Sequence, residues 1–467
     1  MNISIDLGKD ILNIALSRGA SEAIIRLQDR VYEQIVFDGG IIRSYGYSRV
    51  SGIGIRVVVD GGIGYSYTTS FDRDSIVSAI DRAISQARAM SRYGYRRILA
   101  DAKGVKTRFS TEVRINPLDV DPTKKIELIS KLNRDSMSRE GIVSAITRYG
   151  FERDRRFIVS SYGAEAESDI SIIGISHTAI ARTGDAMERV YDQKTFVGGY
   201  EYIERFDWDR FVEEIDRLAI SASKASTPSP GTYIAVVDNA LVGLLLHEAF
   251  GHASEGDQVV SNSSVLINKI GEKVASELVT IYDDGVVEGG YPVPFDDEGI
   301  AKSRTTVVEN GVLKHYLNSR YTSYELRQSV TGNARAQDIT FDSIVRQTNF
   351  YLAPGDAEVE ELFEDISMGI YLRGRGAMGG EVNPAMGTFT FSIGPSYIIR
   401  NGEIGEIVRG VTVSGNILEV LKEVDMVAKD LNITTSVFGG CGKEGQLARV
   451  GDGGPHIRVR KIVVGGG

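Results

Sequence analysis

Apolar residues recur at helical spacing in several stretches of the chain, and each such stretch predicts an amphipathic helix. The first covers residues 5–18, where Leu7, Ile11 and Ile14 would share one face. The same spacing predicts helices at about residues 73–91, 122–134, 206–224, 321–328, 357–366 and 415–429. Alternating and β-branched runs between them predict strands, with hairpin turns at Asp60-Gly61, Asn310-Gly311 and Asn401-Gly402.

The first half of the chain contains two versions of one unit, in which a helix, several short strands and a closing helix follow one another. Ser-Tyr-Gly occurs in both versions, at residues 44–46 and 161–163. This layout favours an internal duplication, although two short matches do not establish one.

A linker is predicted at residues 221–231, "SASKASTPSPG", where small residues precede two prolines that end the helix before them. We therefore predict an α+β protein of two domains. Residues 1–227 would form an N-terminal α/β domain with mixed and antiparallel strands. Residues 228–467 would form a C-terminal domain that is rich in antiparallel strands and in glycine turns.

Composition narrows the classes of function. The 467 residues carry a formal net charge of −10, which argues against nucleic acid or an anionic membrane as the main partner. The N-terminus mixes acidic with apolar residues, unlike a signal peptide, and no stretch reaches the roughly 20 apolar residues of a membrane span. Cys441 is the single cysteine, so an intrachain disulfide is excluded, and we expect a cytoplasmic protein.

The stretch "LLLHEAFGHASEGD" holds the candidate chemistry, because it places His247 and His252 five positions apart with Glu248 beside the first. On a regular helix, residues five apart point about 140° away from each other, so both imidazoles could not reach one metal ion. Gly251 would permit a wide turn with i→i+5 bonding or an early end of the helix. A metal site therefore predicts a local π-bulge or an early end of the helix here. The alternative is a chance pair of histidines on a helix surface.

A third metal ligand has to come from elsewhere, and the residues leave the choice open. Glu255 and Asp257 are close in sequence, and either could instead orient an imidazole from outside the ligand set. Cys441 is distant but chemically better, since a thiolate is a strong zinc ligand. A lone cysteine is, however, more often a small buried apolar residue.

The second half resembles the TldD/PmbA family of predicted zinc proteases, also described as modulators of DNA gyrase. After the histidine stretch, the resemblance rests on "PFDDEGIAKSRTTVVENGVLKHYLNSRYTS", "TGNARAQ", "VRQTNFYLAPGD", "RGVTVSGNILEVLKEV" and "GGCGKEGQLARVGDGGPHIRV". It implies that His247, His252 and Cys441 bind Zn²⁺ and that Glu248 is the catalytic carboxylate. H-E-x-x-x-H implies the TldD-type subunit, which pairs with a PmbA-type (TldE) subunit as a heterodimer, or with itself.

The implied activity is hydrolysis of peptide bonds in unfolded or flexible polypeptides, with metal-activated water and Glu248 as general base. His315, Tyr316 and Arg335 are candidates for stabilising the oxyanion. An extended substrate could add to a sheet edge. "VGDGGPH" is similar to a serine-protease sequence but lacks the serine. The alternative function is a non-catalytic metal-binding subunit that modulates another protein such as DNA gyrase.

Overall fold

The computed structural model describes residues 3–377 and 379–466. Its N-terminal part contains the helices α1 (Ile5–Ser17), α2 (Arg73–Arg92), α3 (Pro122–Met137), α4 (Glu201–Arg205) and α5 (Trp208–Ser223). The strands of this part are β1 (Glu22–Asp38), β2 (Ile41–Val59), β3 (Gly62–Thr68), β4 (Lys106–Ser110), β5 (Ile142–Ser160), β6 (Glu165–Thr183) and β7 (Ala186–Val197).

These strands form one sheet in the order β3-β2-β1-β5-β6-β4, in which β7 also pairs with β6. The two units repeat the order helix, three antiparallel strands, helix, and they meet where β1 pairs with β5. The repeated layout that the sequence favours is therefore present. The two Ser-Tyr-Gly matches are not equivalent, because Ser44–Gly46 lies within β2 whereas Ser161–Gly163 follows β5.

Each unit buries the apolar stripe of its helices against its own part of the sheet. Helices α1 and α2 cover one part, and α3 and α5 cover the other. Ile11 and Ile80 lie in the first core, and Leu132 and Ile215 lie in the second; each is at most 1% exposed. Burial of such a side chain stabilises the fold by about 1.5–3 kcal/mol, so the helical spacing reflects which face is covered.

The C-terminal part is rich in short strands. Its helices are α6 (Asn239–Leu245), α7 (Gly256–Val260), α8 (Arg320–Leu326) and α9 (Ile417–Lys422), with a π-helical turn at Leu246–Gly251. Single 3-10 turns lie at His252–Ser254 and Glu360–Leu362, and a further one lies in the N-terminal part at Pro117–Asp119. The strands are β8 (Gly231–Val237), β9 (Ile281–Asp284), β10 (Thr305–Glu309), β11 (Val312–Leu313), β12 (Ala334–Arg335), β13 (Ile344–Val345), β14 (Asn349–Leu352), β15 (Met368–Leu372), β16 (Gly380–Asn383), β17 (Thr388–Ser392), β18 (Ser396–Arg400), β19 (Glu403–Val408), β20 (Val411–Asn416), β21 (Val424–Val427), β22 (Asn432–Thr435), β23 (Cys441–Lys443), β24 (Gln446–Ala448), β25 (Gly451–Gly454) and β26 (Ile457–Gly466).

Two sheets dominate this part, and most of their pairings are antiparallel as predicted. One has the order β11-β10-β9-β14-β25-β22, and the other has the order β16-β17-β20-β26-β8-β15-β18-β19 with β21 on β26. The parallel pairs are β14 with β25 and β15 with β8. The α+β class is confirmed. The division at residues 227 and 228, which falls between α5 and β8, stays a prediction.

Most predicted helices are confirmed, but two are not. Residues 357–366 form only a 3-10 turn, because Ala357 forms a β-bridge with Ala428 and Asp365 adopts a left-handed φ of 58°. The predicted helix at 415–429 ends after α9, where Val424–Val427 pairs with β26 instead. In both places pairing with distant residues overrides the local periodicity. Among the described residues, no helix is long and apolar enough to cross a membrane.

The three predicted hairpin turns are confirmed by their backbone conformations. Asp60, Asn310 and Asn401 have φ values of 51°, 48° and 48°, and the glycine after each is also left-handed. Two consecutive positive φ values define the type I′ turn, which matches the twist of the strands it joins.

An acidic loop at Asp296–Glu298 joins the two parts of the molecule. The Asp297 carboxylate accepts from Arg156 Nη1 at 2.8 Å and from the Ala336 backbone N–H at 2.7 Å. Glu298 accepts from Arg56 Nη1 at 2.8 Å. Both acids are at most 4% exposed. Burial alone would favour the neutral acid, but Arg156 and Arg26 hold the pKa of Asp297 below its ordinary value.

We expect Asp297→Asn to lower the free energy of unfolding by about 3 kcal/mol, because it leaves the buried Arg26 and the partly buried Arg156 with too little negative charge. Thermal and denaturant unfolding of the full chain measure this loss. Asp81→Asn is the matched control, since it removes an exposed carboxylate that pairs with Arg18 and should change stability little. Equal effects of the two substitutions would contradict the role assigned to the acidic loop.

Candidate metal centre

Helix α6 carries the candidate site towards β25. Asp238 caps this helix, since its Oδ1 accepts from the backbone N–H of Leu241 and of Gly374, both at 2.9 Å. The helix packs closely on the strand: a Cβ atom at Gly243 would lie 2.7 Å from the Gly453 nitrogen. The glycines on both sides therefore allow a backbone approach that brings the following turn against β25.

The turn that follows α6 is π-helical over Leu246–Gly251, as a shared metal site predicts. The His252 N–H donates to the His247 carbonyl, which is the i→i+5 bond of a wide turn. Five residues then close about one turn, so both imidazoles face the same side. Their ring centroids are 5.3 Å apart, with planes at 83°.

Gly251 acts differently from the prediction. Its φ of −61° and ψ of −49° are ordinary helical values that any residue adopts, so conformational freedom is not the reason for glycine. The reason is space, because a Cβ atom here would lie 2.1 Å from Gln347 Oε1. Gln347 is fully buried, and its Nε2 donates to the His247 carbonyl at 3.1 Å. The glycine thus admits the amide that supports the wide turn.

Cys441 reaches the two histidines from a distant loop. The candidate ligand atoms of His247, His252 and Cys441 all lie within 4.8 Å of one another. Cys441 Sγ is 3.2 Å from His252 Nε2. The cysteine and His247 are each 3% exposed, and His252 is half-buried. Among the described residues, these three form the group of metal-ligating side chains that meets this spacing.

The charges of the three side chains depend on one another. Burial opposes ionisation of the thiol, but His247 and His252 lower the pKa of Cys441 to about 5. Burial likewise opposes protonation of His247, but the Cys441 thiolate raises the pKa of that imidazole to about 9. Burial also opposes protonation of His252, but Glu255 and Cys441 raise the pKa of that imidazole well above its ordinary value.

A zinc ion fits these residues. His247 Nδ1 is buried and has no hydrogen-bond partner among the described residues. A thiolate with two imidazoles is a donor set that zinc prefers, and three protein ligands leave a position open in a tetrahedral shell. Glu255 and Asp257, the acids that the sequence also offers as ligands, lie outside this group of three.

Glu255 orients His252 from behind. Its Oε2 lies 3.1 Å from His252 Nδ1, and its Oε1 accepts from the backbone N–H of Gln347 at 3.2 Å. Lys443 donates to Glu255 at 2.9 Å and to Asp257 at 2.6 Å. Although burial opposes ionisation, Lys443 and His252 lower the pKa of Glu255 to about 2, so it is a carboxylate at neutral pH. A carboxylate on one imidazole nitrogen directs the other towards a metal.

The loop that carries Cys441 rests on the N-terminal sheet. Val437 is fully buried in a cluster that includes Ile170 and Ile172 of β6. A Cβ atom at Gly150 would lie 2.9 Å from the Phe438 ring, so this strand position gives the loop room. Arg346, also fully buried, donates to the Cys441 carbonyl. The third candidate ligand is therefore placed by residues from both parts of the molecule.

A pocket of about 130 Å³ opens beside these side chains. Its lining includes His247, Cys441 and Glu248, so the predicted general base shares the pocket with two predicted ligands. The remaining lining residues are Gln193, Thr434, Thr435, Ser436, Gly440, Val450 and Asp452. Burial raises the pKa of Asp452, with Glu248 and Cys441 acting in the same direction and His247 against it.

The three oxyanion candidates from the sequence do not line this pocket. The Tyr316 hydroxyl donates to the Leu266 carbonyl at 2.6 Å. Arg335 donates to the Gln347 carbonyl at 2.6 Å and to the Arg449 carbonyl at 2.5 Å. Tyr316 and Arg335 therefore bind backbone carbonyl groups outside the pocket lining. His315 is likewise outside the lining, and burial lowers its pKa.

Sequence reasoning missed five polar residues near the centre: Gln193, Arg346, Gln347, Lys443 and Asp452. Two of them had a local signal, since Lys443 follows Cys441 in "CGKEGQ" and Asp452 lies in "VGDGGPH". Gln193 lies on β7, and Arg346 and Gln347 lie between β13 and β14; their contacts join residues far apart in sequence, which a single sequence does not show.

Three family profiles match the chain, and all three describe parts of a metallopeptidase. They are PmbA/TldA metallopeptidase domain 1 over residues 23–90, the central domain over 115–223 and the C-terminal domain over 230–466. A metalloprotease of Methanothermobacter thermautotrophicus is 37% identical over 434 residues, covering 92% of each chain. A zinc metalloprotease TldD homolog of Saccharolobus solfataricus is 31% identical and covers 99% of this chain and 98% of its own.

The chain therefore belongs to the PmbA/TldD family of metallopeptidases. Solved structures share the fold at lower identity. A proposed modulator of a DNA gyrase from Thermotoga maritima matches with a TM-score of 0.80 and 21% identity, covering 98% of this chain and 99% of that one. TldE from Thermococcus kodakarensis matches with a TM-score of 0.73 and 19% identity, covering 98% and 100%.

We expect Gly251→Ala to weaken zinc binding by about 10- to 100-fold, because the added methyl group must displace the Gln347 amide from the wide turn. Competition with a chelator measures the affinity, and thermal unfolding measures the stability. Gly46→Ala is the control, since a Cβ atom at Gly46 meets nothing within 4 Å. Unchanged zinc affinity in Gly251→Ala would refute the steric role of this glycine.

Proposed function

We propose that the protein is a zinc-dependent peptidase that hydrolyses peptide bonds in unfolded or flexible polypeptides. One observation carries this proposal. The ligand atoms of His247, His252 and Cys441 converge within 4.8 Å, and Glu248 lines the same pocket. A purely structural metal site has no use for a carboxylate beside an open position.

In the proposed mechanism, His247, His252 and Cys441 hold the zinc ion. The bound ion supplies Lewis acidity, which polarises a peptide carbonyl and makes water more acidic. Glu248 takes a proton from the attacking water on its carboxylate and delivers it to the nitrogen of the departing amine. Glu255 keeps the His252 ring in the orientation that ligation needs, and Lys443 neutralises the charge of Glu255.

The surroundings of the pocket favour an extended chain as substrate. Thr434 and Thr435 of the pocket wall belong to β22, the last strand of its sheet, so one row of its backbone groups is unpaired within that sheet. An extended peptide would add to this edge through backbone hydrogen bonds, which are nearly independent of side-chain sequence. A pocket of about 130 Å³ is too small for a folded domain, which favours a flexible segment as substrate.

We also propose that the chain acts with a second subunit of the family, of the PmbA or TldE type, and with a second copy of itself where that subunit is absent. The relative named as a TldD homolog and the fold similarity to TldE support this pairing. An exposed stretch of β2 offers surface for it: Ile41, Tyr45 and Tyr47 are 47–55% exposed.

We expect Glu248→Gln to retain about one zinc ion per chain and to lose cleavage of an unfolded protein by a factor of about 100 or more, roughly the lower end of what a general base contributes. Cys441→Ala should lose both zinc and cleavage. Elemental analysis and a cleavage assay on reduced, unfolded casein measure the two quantities. Glu309→Gln, which alters an exposed carboxylate paired with Lys314, should match the unmodified protein.

Cleavage at the unmodified rate by Glu248→Gln would overturn the mechanism. Zinc binding without any cleavage by the unmodified chain, alone or with its partner, would instead support the non-catalytic role. The glutamine variant separates zinc binding from catalysis, because it keeps the shape of the side chain while removing its proton acceptor.

A further inference from the structure

Gln193 reaches the pocket from the other part of the molecule. It lies on β7 of the N-terminal sheet, opposite Ser176 of β6, and its side chain lines the pocket together with Glu248 and Asp452. The residue is half-buried. All the other lining residues come from the second half of the chain. An uncharged amide thus lines a pocket whose ionisable residues are Glu248, Asp452 and two predicted metal ligands.

The contacts of Ser436 determine which end of the Gln193 amide it binds. Ser436 Oγ accepts from the backbone N–H of Phe438 at 3.0 Å and of Gly439 at 3.1 Å. Its two lone pairs are then occupied, so the hydroxyl proton is left to donate. The Ser436 hydroxyl donates to Gln193 Oε1 at 2.6 Å. The amide oxygen is therefore fixed on Ser436, and Nε2, which has no acceptor among the described residues, keeps both of its N–H donors.

Other donors in the pocket wall are already used or are not held. The Thr435 hydroxyl donates to the Val450 carbonyl at 2.7 Å, and the Ser436 hydroxyl is bound to Gln193. Thr434 is exposed, so its hydroxyl rotates in water. Glu248 and Asp452 are acceptors when ionised. Among the pocket-lining residues that the structure describes, Gln193 offers the positioned side-chain donor.

We propose that Gln193 Nε2 donates a hydrogen bond to the carbonyl oxygen of the peptide bond that is cleaved, an inference that rests on the proposed peptidase function. The oxygen of that carbonyl gains negative charge as water attacks, and a donor fixed beforehand stabilises this charge most. Gln193 is then a catalytic residue supplied by the N-terminal sheet. Its orientation is set by Ser436, five positions before Cys441.

A purely structural role is the competing explanation, because the same contact ties the cysteine loop to β7. A second tie allows the two roles to be separated. The Val437 N–H donates to Thr195 Oγ1, on the same strand, at 3.2 Å. Thr195 does not line the pocket. Thr195→Val therefore weakens the docking of the loop without removing a donor from the pocket.

The experiment compares Gln193→Glu, Gln193→Met and Thr195→Val in the full, zinc-loaded protein with its partner subunit if cleavage requires one. The glutamate keeps the acceptor for Ser436 but adds charge, and the methionine adds no charge but loses the Ser436 contact. Both lose the donor. We expect kcat on an unfolded peptide to fall about 100-fold in both, with KM and zinc content unchanged. Thr195→Val should retain the unmodified kcat.

A second readout does not depend on turnover. A phosphinic peptide mimics the tetrahedral species formed by attack on the carbonyl, so its affinity reports the same contact. We expect the Kd of the phosphinic peptide to rise about 100-fold in both Gln193 variants. The Kd of the uncleaved peptide should change little when the same substitutions are added to Glu248→Gln.

Unchanged kcat and unchanged phosphinic-peptide affinity in the Gln193 variants would overturn the inference, and so would an equal loss in Thr195→Val. Loss of zinc from the Gln193 variants would also overturn it in favour of a structural role. Absence of cleavage by the unmodified protein is a different result, because it rejects the proposed peptidase function itself.

Discussion

The candidate centre depends on one wide turn of the backbone. A regular helix would direct His247 and His252 about 140° apart, and no rotation of their side chains would bring both to a common ion. The i→i+5 bond from His252 to His247 removes this difference, and the buried Gln347 amide supports the carbonyl that accepts it. Gly251 is required because that amide occupies the space of a side chain. The five-residue spacing and the turn are thus two aspects of one structure.

The third side chain of the centre ties the site to the whole fold. Cys441 lies 189 positions after His252, and its loop is packed on β5 and β6 of the N-terminal sheet. The acidic loop at Asp296–Glu298 holds the same two parts together through Arg56 and Arg156. A change in the contact between the parts would therefore move the thiol relative to the imidazoles. The pocket, which also takes Gln193 from β7, would change with it.

Local patterns predicted what local interactions determine. The spacing of apolar residues gave α1, α2, α3 and α5, and Asp-Gly and Asn-Gly gave the hairpin turns, because each depends on neighbours in the chain. The π-turn was predicted from the demand that two imidazoles face one ion. The helix predicted at 357–366 was wrong because pairing with Ala428 competes with it. The contacts of Gln193, Arg346 and Gln347 could not be predicted, since they join residues far apart in sequence.

The proposed chemistry requires that His247, His252 and Cys441 together hold zinc. X-ray absorption spectroscopy of the zinc-loaded protein tests it most directly. We expect one sulfur at about 2.3 Å and nitrogen or oxygen neighbours at about 2.0–2.1 Å, with the sulfur lost in Cys441→Ser. A zinc shell made only of nitrogen and oxygen in the unmodified protein would contradict it.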